Sequence, residues 1–389
     1  MHVLANVNTI KIFQKVYPHE GIRFISAAQH NAKVKTYFTE NAGDISFEGF
    51  GNRRKLKSKL WIGLSLFKKG FSDLFFFRRI LASAKPEDLL VVSHIYPHSL
   101  IFLKFLKKIY PNPNVVLLLH GEVEYMFFFK THSQRLIGYI YRFCFGIKAK
   151  NFYNLFLTKA STDIIVNSGY LSESEVMAIE LPTFVGSSQQ VELGPPVQEA
   201  IRIGHIGSAG IRKNVDQLYL LANKIIDQIS RGRVKLSAIG VLEHSIVPHL
   251  NALVENFVGN QIDQPLDRLS YDLEVSRLDY SIFFYSENDF LLRSSAAFFD
   301  AIYYEKPIIA LYNKFFADTF QKNGKLGFLC KDLDEMKALI ESLSSDLKHP
   351  ARDYEKMVGN IKDYKRKLGL DYIAQDLKSQ LSKRIVPLN

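Results

Sequence analysis

The sequence predicts an α/β protein built from two Rossmann-like, doubly wound domains, and three observations carry that expectation. The chain has 389 residues, whereas single hydrophobic cores stop growing at roughly 250, so two domains are expected. Short apolar runs bounded by turn residues alternate with helical patterns, which is how buried parallel strands and their crossover helices read. A stretch rich in glycine, serine, glutamine and proline, VGSSQQVELGPPVQEA at 185–200, divides two such regions and reads as a linker.

In the first region, EDLLVVSHIYP and PNVVLLLHGEVEY hold continuous apolar runs at 89–92 and 115–119, each ending in a polar loop with a histidine. Both read as buried strands, with a helix from Ser99 to Tyr110 between them. STDIIVNSGYL repeats the form and predicts a strand at 163–166. In the second region, strand 201–206 leads to a helix at 215–231, and strand 234–239 leads to a helix at 244–258. A helix at 269–277 precedes strand 280–285, and a helix at 295–304 precedes the strand KPIIALY. Beyond Asp332 the chain reads as helical and charged, with an apolar stripe in LDYIAQDLKSQLSKR. The expected domains are therefore 1–190 and 200–370. A C-terminal helix at 371–389 is expected to pack back on the first.

Composition removes several classes of function. Only Cys144 and Cys330 are present, too few for a disulfide framework or a cysteine metal cluster, and a reducing compartment fits. The first residues do not read as a secretory signal. Lys68, Lys69 and Asp73 interrupt one apolar run and three lysines another, so no transmembrane helix is expected. The net charge is uneven: residues 1–195 carry 24 Lys and Arg against 14 Asp and Glu, and residues 196–389 carry 26 against 25. Thirteen bases face three acids between Arg53 and Lys108. That stretch reads as a solvated face or, because phenylalanines and leucines are interleaved with the bases, as a surface for anionic lipid. Nucleic acid is not an expected partner, since no RNA-binding or helix-turn-helix signature is present.

Two segments of the second region carry chemistry. IRIGHIGSAGIRKN, 201–214, is a strand running into a turn with Gly207, Ser208, Arg212 and Lys213. In an open parallel sheet such a turn lies where ligands bind, and its glycines and bases suit phosphate. The spacing matches neither the dinucleotide fingerprint nor the P-loop. In SENDFLLRSSAAFFDAIYYEKPIIALYN, 286–313, Ser294 or Ser295 can cap a helix starting near Ala296, whose free N–H groups form a second anion site beside Arg293. Asp300 follows one and a half turns later, in reach of a ribose attached to a bound diphosphate.

Together, IGHIGSAGIRKNVDQL and SSAAFFDAIYYEKPIIAL resemble the nucleotide-sugar domain of GT-B glycosyltransferases, especially those similar to glycosyltransferase family 4. The resemblance covers mainly residues 200–335. It implies two Rossmann-like domains facing a cleft, with Lys213 on the donor diphosphate, Gly207 as the loop glycine, and Asp300 in place of the second Glu of a Glu-x7-Glu motif, on the ribose. Lys306 and Pro307 match the family's Lys-Pro, with Glu305 replacing its glycine. The first Glu falls at Leu292, which leaves the donor sugar and the stereochemistry open; Glu287 and Asp289 are the nearby acids. The resemblance also implies metal-independent transfer, and no cofactor beyond the donor is expected.

In such enzymes the acceptor meets the first domain, where HGEVEY and SHIYPH end neighbouring strands. Glu122 and then His120 are the candidate bases for an acceptor hydroxyl. His94 and His98 are four residues apart, but with Pro97 between them and no third ligand in view a metal site is not expected. The sequence thus points to a glycosyltransferase using a nucleotide-diphosphate sugar, with a UDP-sugar as the first expectation. Its acceptor would be a surface glycan or lipid-linked precursor, and its place the cytoplasm, peripheral at the inner face of the membrane. A nucleotide-sugar epimerase of the same fold, or a non-catalytic basic peripheral membrane protein, are the alternatives.

Overall fold

A computed structural model describes residues 3–38, 44–50, 59–182, 200–287, 289–345 and 353–385, with the backbone alone over 59–69. The linker expected at 185–200 falls almost wholly outside these residues, as do the side chains of the basic stretch up to Lys69. The chain divides into two compact units. The first comprises Met1–Pro182, Leu292–Ser294 and Gly369–Asn389; the second comprises Thr183–Leu291 and Ser295–Leu368.

The first unit opens with α1 (Val3–Val16), β1 (Ile22–Ala27), α2 (Ala28–Lys35) and β2 (Ile45–Phe50), the two strands pairing in parallel as a small sheet. There follow α3 (Lys59–Ser83), β3 (Leu89–Val92), α4 (Pro97–Ile109), β4 (Asn114–Leu119), α5 (His132–Gly146), β5 (Phe152–Phe156), α6 (Ala160–Asn167) and β6 (Val176–Ala178). Strands β3, β4, β5 and β6 pair side by side, all parallel. Every residue of β4 is buried, as a central strand covered on both faces requires, and its continuous apolar run follows from that. Val116 and Leu118 face α1, while Lys104 of α4 lies over Phe152 on the other side, its Nζ 4.0 Å from the ring centre.

The expected strand at 163–166 is instead the middle of α6. Its place beside β4 is taken by Phe152–Phe156, and Ser161 and Ile165 are buried four residues apart, a helical spacing. Packing overrides the β-branched preference of IIV here.

The second unit runs β7 (Ile201–Ala209), α7 (Asp216–Lys224), α8 (Ile226–Ser230), β8 (Val234–Leu242), β9 (Val254–Val258), α9 (Arg268–Ser276) and β10 (Tyr280–Phe283). It continues with α10 (Ala296–Tyr303), β11 (Ile308–Leu311), α11 (Lys314–Asn323), β12 (Gly327–Cys330), α12 (Leu333–Ser345) and α13 (Tyr354–Lys367). The sheet order is β12-β11-β10-β7-β8-β9, all parallel. Counted within the unit this is 3-2-1-4-5-6, the Rossmann order, with its switch point between β7 and β10. Two expectations need correction. The helix at 215–231 is broken at Ile225 into α7 and α8. The helix at 244–258 is a short 3-10 turn, 244–249, followed by β9. Pro248 lies inside that turn and removes a backbone donor, and Val254–Val258 then joins the sheet edge. The last helix, α14 (Leu370–Ser382), belongs to the first unit, where Ile373, Leu377 and Leu381 pack with Ile12 and Phe13 of α1.

Candidate functional site

Of the residues singled out in the second unit, Gly207, Lys213 and the start of α10 meet at the switch point. At the end of β7, Gly207 takes φ +93°, and a Cβ there would stand 3.2 Å from the Ala297 Cβ and 3.9 Å from the Lys213 Nζ. A glycine is needed both for the backbone angle and for this close approach of loop, lysine and helix start. The turn that carries Lys213 ends on Asn214 at φ +54°, a left-handed position that asparagine tolerates. Asn214 Nδ2 donates to the Phe284 carbonyl and to Ser286 Oγ, both at 2.9 Å, tying the β7 loop to the exit of β10. Asn214 thereby anchors the turn that carries Lys213.

Helix α10 supplies the other half. Ser295 is its N-cap and accepts from the Phe298 N–H at 3.2 Å, while its hydroxyl also meets Tyr285 Oη at 2.7 Å. The cap expected from sequence is therefore Ser295 and not Ser294. Capping by Ser295 satisfies the Phe298 donor and leaves the N–H groups of the first positions, Ala296 and Ala297, without an intrahelical acceptor, at the helix end that Gly207 brings close to the Lys213 Nζ.

Asp300 sits one turn on, half-buried, and accepts from Tyr271 Oη at 2.8 Å. Burial raises its pKa, while the Tyr271 hydrogen bond and the charges of Arg268 and Lys213 pull it back. Around it, Arg268 pairs with Asp272 at 2.7 Å, Tyr304 Oη donates to Asp272, and Arg268 Nη2 reaches Tyr304 Oη at 3.1 Å. Asp300 is thus a held carboxylate with an aromatic hydroxyl on one oxygen, a different thing from a solvated helix acid. Nothing near it in sequence announces Tyr271, which stands 29 positions away.

The charge of Lys213 is also felt at His205, inside β7. Burial, chiefly, and then Lys213 lower the His205 pKa to about 4. Other expected donor residues are turned to other partners. Ser208 Oγ donates to Glu243, and Arg212, with 86% of its side chain exposed, lies 3.8 Å from the same carboxylate. Lys306 Nζ donates to the Ser276 carbonyl at 2.6 Å. Asp289 accepts from the Ser286 N–H at 2.9 Å and so shapes the loop, whereas Glu287 is exposed.

Arg293 and Ser294 make their contacts in the first unit. Arg293 Nε lies 3.3 Å from Glu124, and Ser294 Oγ donates to the Leu157 carbonyl. The Leu292 N–H donates to the second oxygen of Glu124 at 3.4 Å. The sequence places Glu124 with His120 and Glu122 at the carboxyl edge of this sheet but singles out only the other two as bases; Glu124, 5% exposed, is the residue of HGEVEY that these contacts hold. Gly121 gives the room: a Cβ there would come within 3.0 Å of the Arg293 Cβ.

His120, at the end of β4, has Nε2 at 2.6 Å from the Ser93 carbonyl. A carbonyl only accepts, so a neutral His120 ring carries its proton on Nε2. Glu122 is half-buried in the 3-10 turn that follows, and its charge helps to raise the Tyr141 pKa after the larger effect of burial. His94 packs against His120 and Tyr96, with ring centres 5.9 and 5.5 Å away, and Tyr96 stacks on His98. Among the described residues, no three His, Cys, Asp or Glu side chains gather as a metal site requires.

Solved structures supply the remaining comparison. A glycosyltransferase from Rickettsia africae ESF-5 superposes with a TM-score of 0.59 at 12% identity, over 98% of this chain and 95% of that one. The fold is GT-B. A UDP-N-acetylglucosamine 2-epimerase has a TM-score of 0.56 at 13% identity over 98% of this chain and 95% of that one. A TarM variant from S. aureus, solved with fondaparinux, alpha-GlcNAc-glycerol and UDP, has a TM-score of 0.53 at 15% identity over 79% of this chain. This chain spans 58% of the length of that TarM. No protein-family profile matches the chain, and no curated protein sequence does either. At such identities the likeness establishes the GT-B fold and leaves the chemistry to the site itself.

Proposed function

We propose that the chain is a glycosyltransferase that takes a sugar from a nucleoside-diphosphate donor, with UDP as the nucleotide. The observation that carries this reading is the convergence of Lys213, Gly207 and the start of α10 at the β7–β10 switch point, with Asp300 behind them. A lysine ammonium and free helix N–H groups are the two elements that hold a diphosphate and stabilise it as a leaving group. Because both are supplied by the chain, the transfer proceeds without a metal or another cofactor. Asp300 accepts hydrogen bonds from the ribose. UDP is favoured because two matching structures are named for UDP or a UDP-sugar.

The acceptor is a surface glycan or its lipid-linked precursor, met by the first unit at the cytoplasmic face of a membrane. Its basic charge supports an anionic membrane surface as the partner. Association with it is peripheral in this reading; among the described residues no helix is long and apolar enough to cross a membrane. Glu122, and after it His120, acts as the base that takes the acceptor proton.

Replacing Lys213 with Ala tests the diphosphate assignment. UDP binding should weaken by about 1.5 to 3 kcal/mol while uridine binding barely changes. Equal losses for the two ligands would sink it. The epimerase match supports a second reading, in which the same site turns over a UDP-sugar alone. Incubating the protein with UDP-N-acetylglucosamine and no acceptor separates the two: an epimerised sugar favours the second, an unchanged one the first.

A further inference from the structure

Helices α3, α4 and α5 line one face of the first unit's sheet. α4 covers Phe152, α3 holds α4 through the Ser99–Asp73 hydrogen bond of 2.7 Å, and α4 and α5 pack side by side. The inward stripe of α4 is Leu100, Leu103 and Leu106, and that of α5 is Gly138, Tyr141 and Phe145. Each helix also carries an apolar stripe pointing the other way. On α4, Phe105 is 47% and Ile109 68% exposed; on α5, Leu136 is 61%, Tyr139 48% and Phe143 55% exposed. Leu136, Tyr139 and Phe143 stand at i, i+3 and i+7, so they form a single line along the helix. Large apolar side chains exposed in stripes on two helices that pack together are unlike the single ones scattered over ordinary surfaces.

The bases among them are placed to match. The Arg135 guanidinium lies 5.5 Å over Tyr139 and 5.6 Å over Phe129, and Arg142 lies 5.6 Å from Tyr139. Lys108 is exposed between Phe105 and Ile109. Neither α4 nor α5 contains an acidic residue. We propose that the outward face of α4 and α5, continued by α3, is the surface by which this protein docks on an anionic lipid bilayer. The inference rests on the peripheral-membrane reading given above and adds the surface that serves it, including α5, which lies beyond the basic stretch 53–108.

The combination selects the bilayer over other occupants. A second copy docked by two-fold symmetry sets each patch against itself, which brings bases opposite bases with no acid to pair them. A nucleic acid takes the bases but leaves Ile109, Leu136 and Phe143 in water. A lipid interface accepts aromatic and aliphatic side chains at the headgroup boundary and attracts the bases by its surface charge.

The test uses the full chain in co-sedimentation with phosphatidylcholine vesicles and with phosphatidylcholine–phosphatidylglycerol vesicles, at low and high salt. Two variants accompany it. Leu136→Ser/Tyr139→Ser/Phe143→Ser removes apolar area and keeps the charge, and Lys108→Glu/Arg135→Glu reverses charge and keeps the apolar stripe. The wild type should bind the anionic vesicles at low salt and lose them at high salt. Each variant should bind roughly tenfold less or weaker still, with melting temperature and UDP affinity unchanged. Variants that bind anionic vesicles as the wild type does would overturn this surface while leaving the membrane reading standing. A wild type that ignores anionic vesicles at low salt overturns both. A wild type that is dimeric in solution and becomes monomeric in the serine variant assigns the face to a second copy instead. Binding to single-stranded DNA that exceeds vesicle binding, and that only the charge-reversed variant loses, assigns it to nucleic acid.

Discussion

At the scale of single residues, His205 beside the switch point ties the stability of the second unit to pH. His205 is fully buried, with its ring nitrogens 3.3 Å from the carbonyls of Ile282 and Ser208. A neutral imidazole has one N–H and serves only one of those carbonyls, whereas an imidazolium would serve both. Burial and the Lys213 charge outweigh that gain, and the pKa falls to about 4. Since the unfolded chain titrates near 6.5, it takes up a proton between these values and the folded protein does not. Stability is therefore complete above about pH 6.5 and declines as the pH falls through 4, by about 3 kcal/mol in all. Urea unfolding of the second unit at pH 7 and at pH 4.5 should show this loss. In His205→Gln the same pair of measurements should differ by much less, and an equal loss in the variant would place the pH sensitivity elsewhere.

At the scale of elements, α10 shows how its two ends are made. Its start depends on the Ser295 cap and the Tyr285 hydroxyl behind it. Its end turns through Glu305 at φ +58°, with the Lys306 N–H reaching the Ala301 carbonyl at 2.9 Å. That is the left-handed closure that glycine favours, and glycine is what the resembling family carries there. In this chain the strained glutamate is held by Lys365 at 2.8 Å and Lys362 at 3.7 Å. A left-handed non-glycine residue costs roughly 1 kcal/mol, and a half-exposed ion pair returns 0 to about 1 kcal/mol. Glu305→Gly is accordingly expected to leave the melting temperature unchanged or raise it slightly. Glu305→Val, which adds β-branching and loses the ion pairs, should lower it clearly. A marked fall with glycine would mean that the ion pairs, and not the backbone, dominate this turn.

Across the whole molecule, the chain's last helix completes its first unit. Helix α14 joins α1 over β4 and β5, with Leu377 fully buried among Ile12, Phe13, Val116 and Leu155. It also fastens the edge strand, since Gln380 exchanges hydrogen bonds of 3.0 and 2.8 Å with the backbone of Ala178. By contrast, the Lys15–Asp371 ion pair at the same junction leaves the aspartate side chain 89% exposed. Leu377→Ala should cost the first unit about 2 to 5 kcal/mol by leaving a cavity, whereas Asp371→Asn should cost under about 1 kcal/mol. Following the two units separately by hydrogen exchange checks this. The leucine change should raise exchange in β4–β6 and leave β7–β12 as in the wild type.

Much of this architecture was legible in the residues because it is written in short-range patterns. The strands at 89–92, 115–119 and 201–206 are apolar runs ended by turns, and the serine cap of α10 and the glycine-led turn before Lys213 are local too. What lay beyond the sequence depends on partners distant along the chain. The run IIV could form a strand or a helix until β5 filled the place beside β4, and Val254–Val258 became a strand because a sheet edge was there to receive it. Tyr271 finds Asp300, and Glu124 finds Leu292 and Arg293, only once the chain has folded. The same holds for the surface. Periodicity shows that α5 has apolar stripes, but a stripe is core or surface according to what covers it. That is a property of neighbours in space, which the order of residues along one helix does not contain.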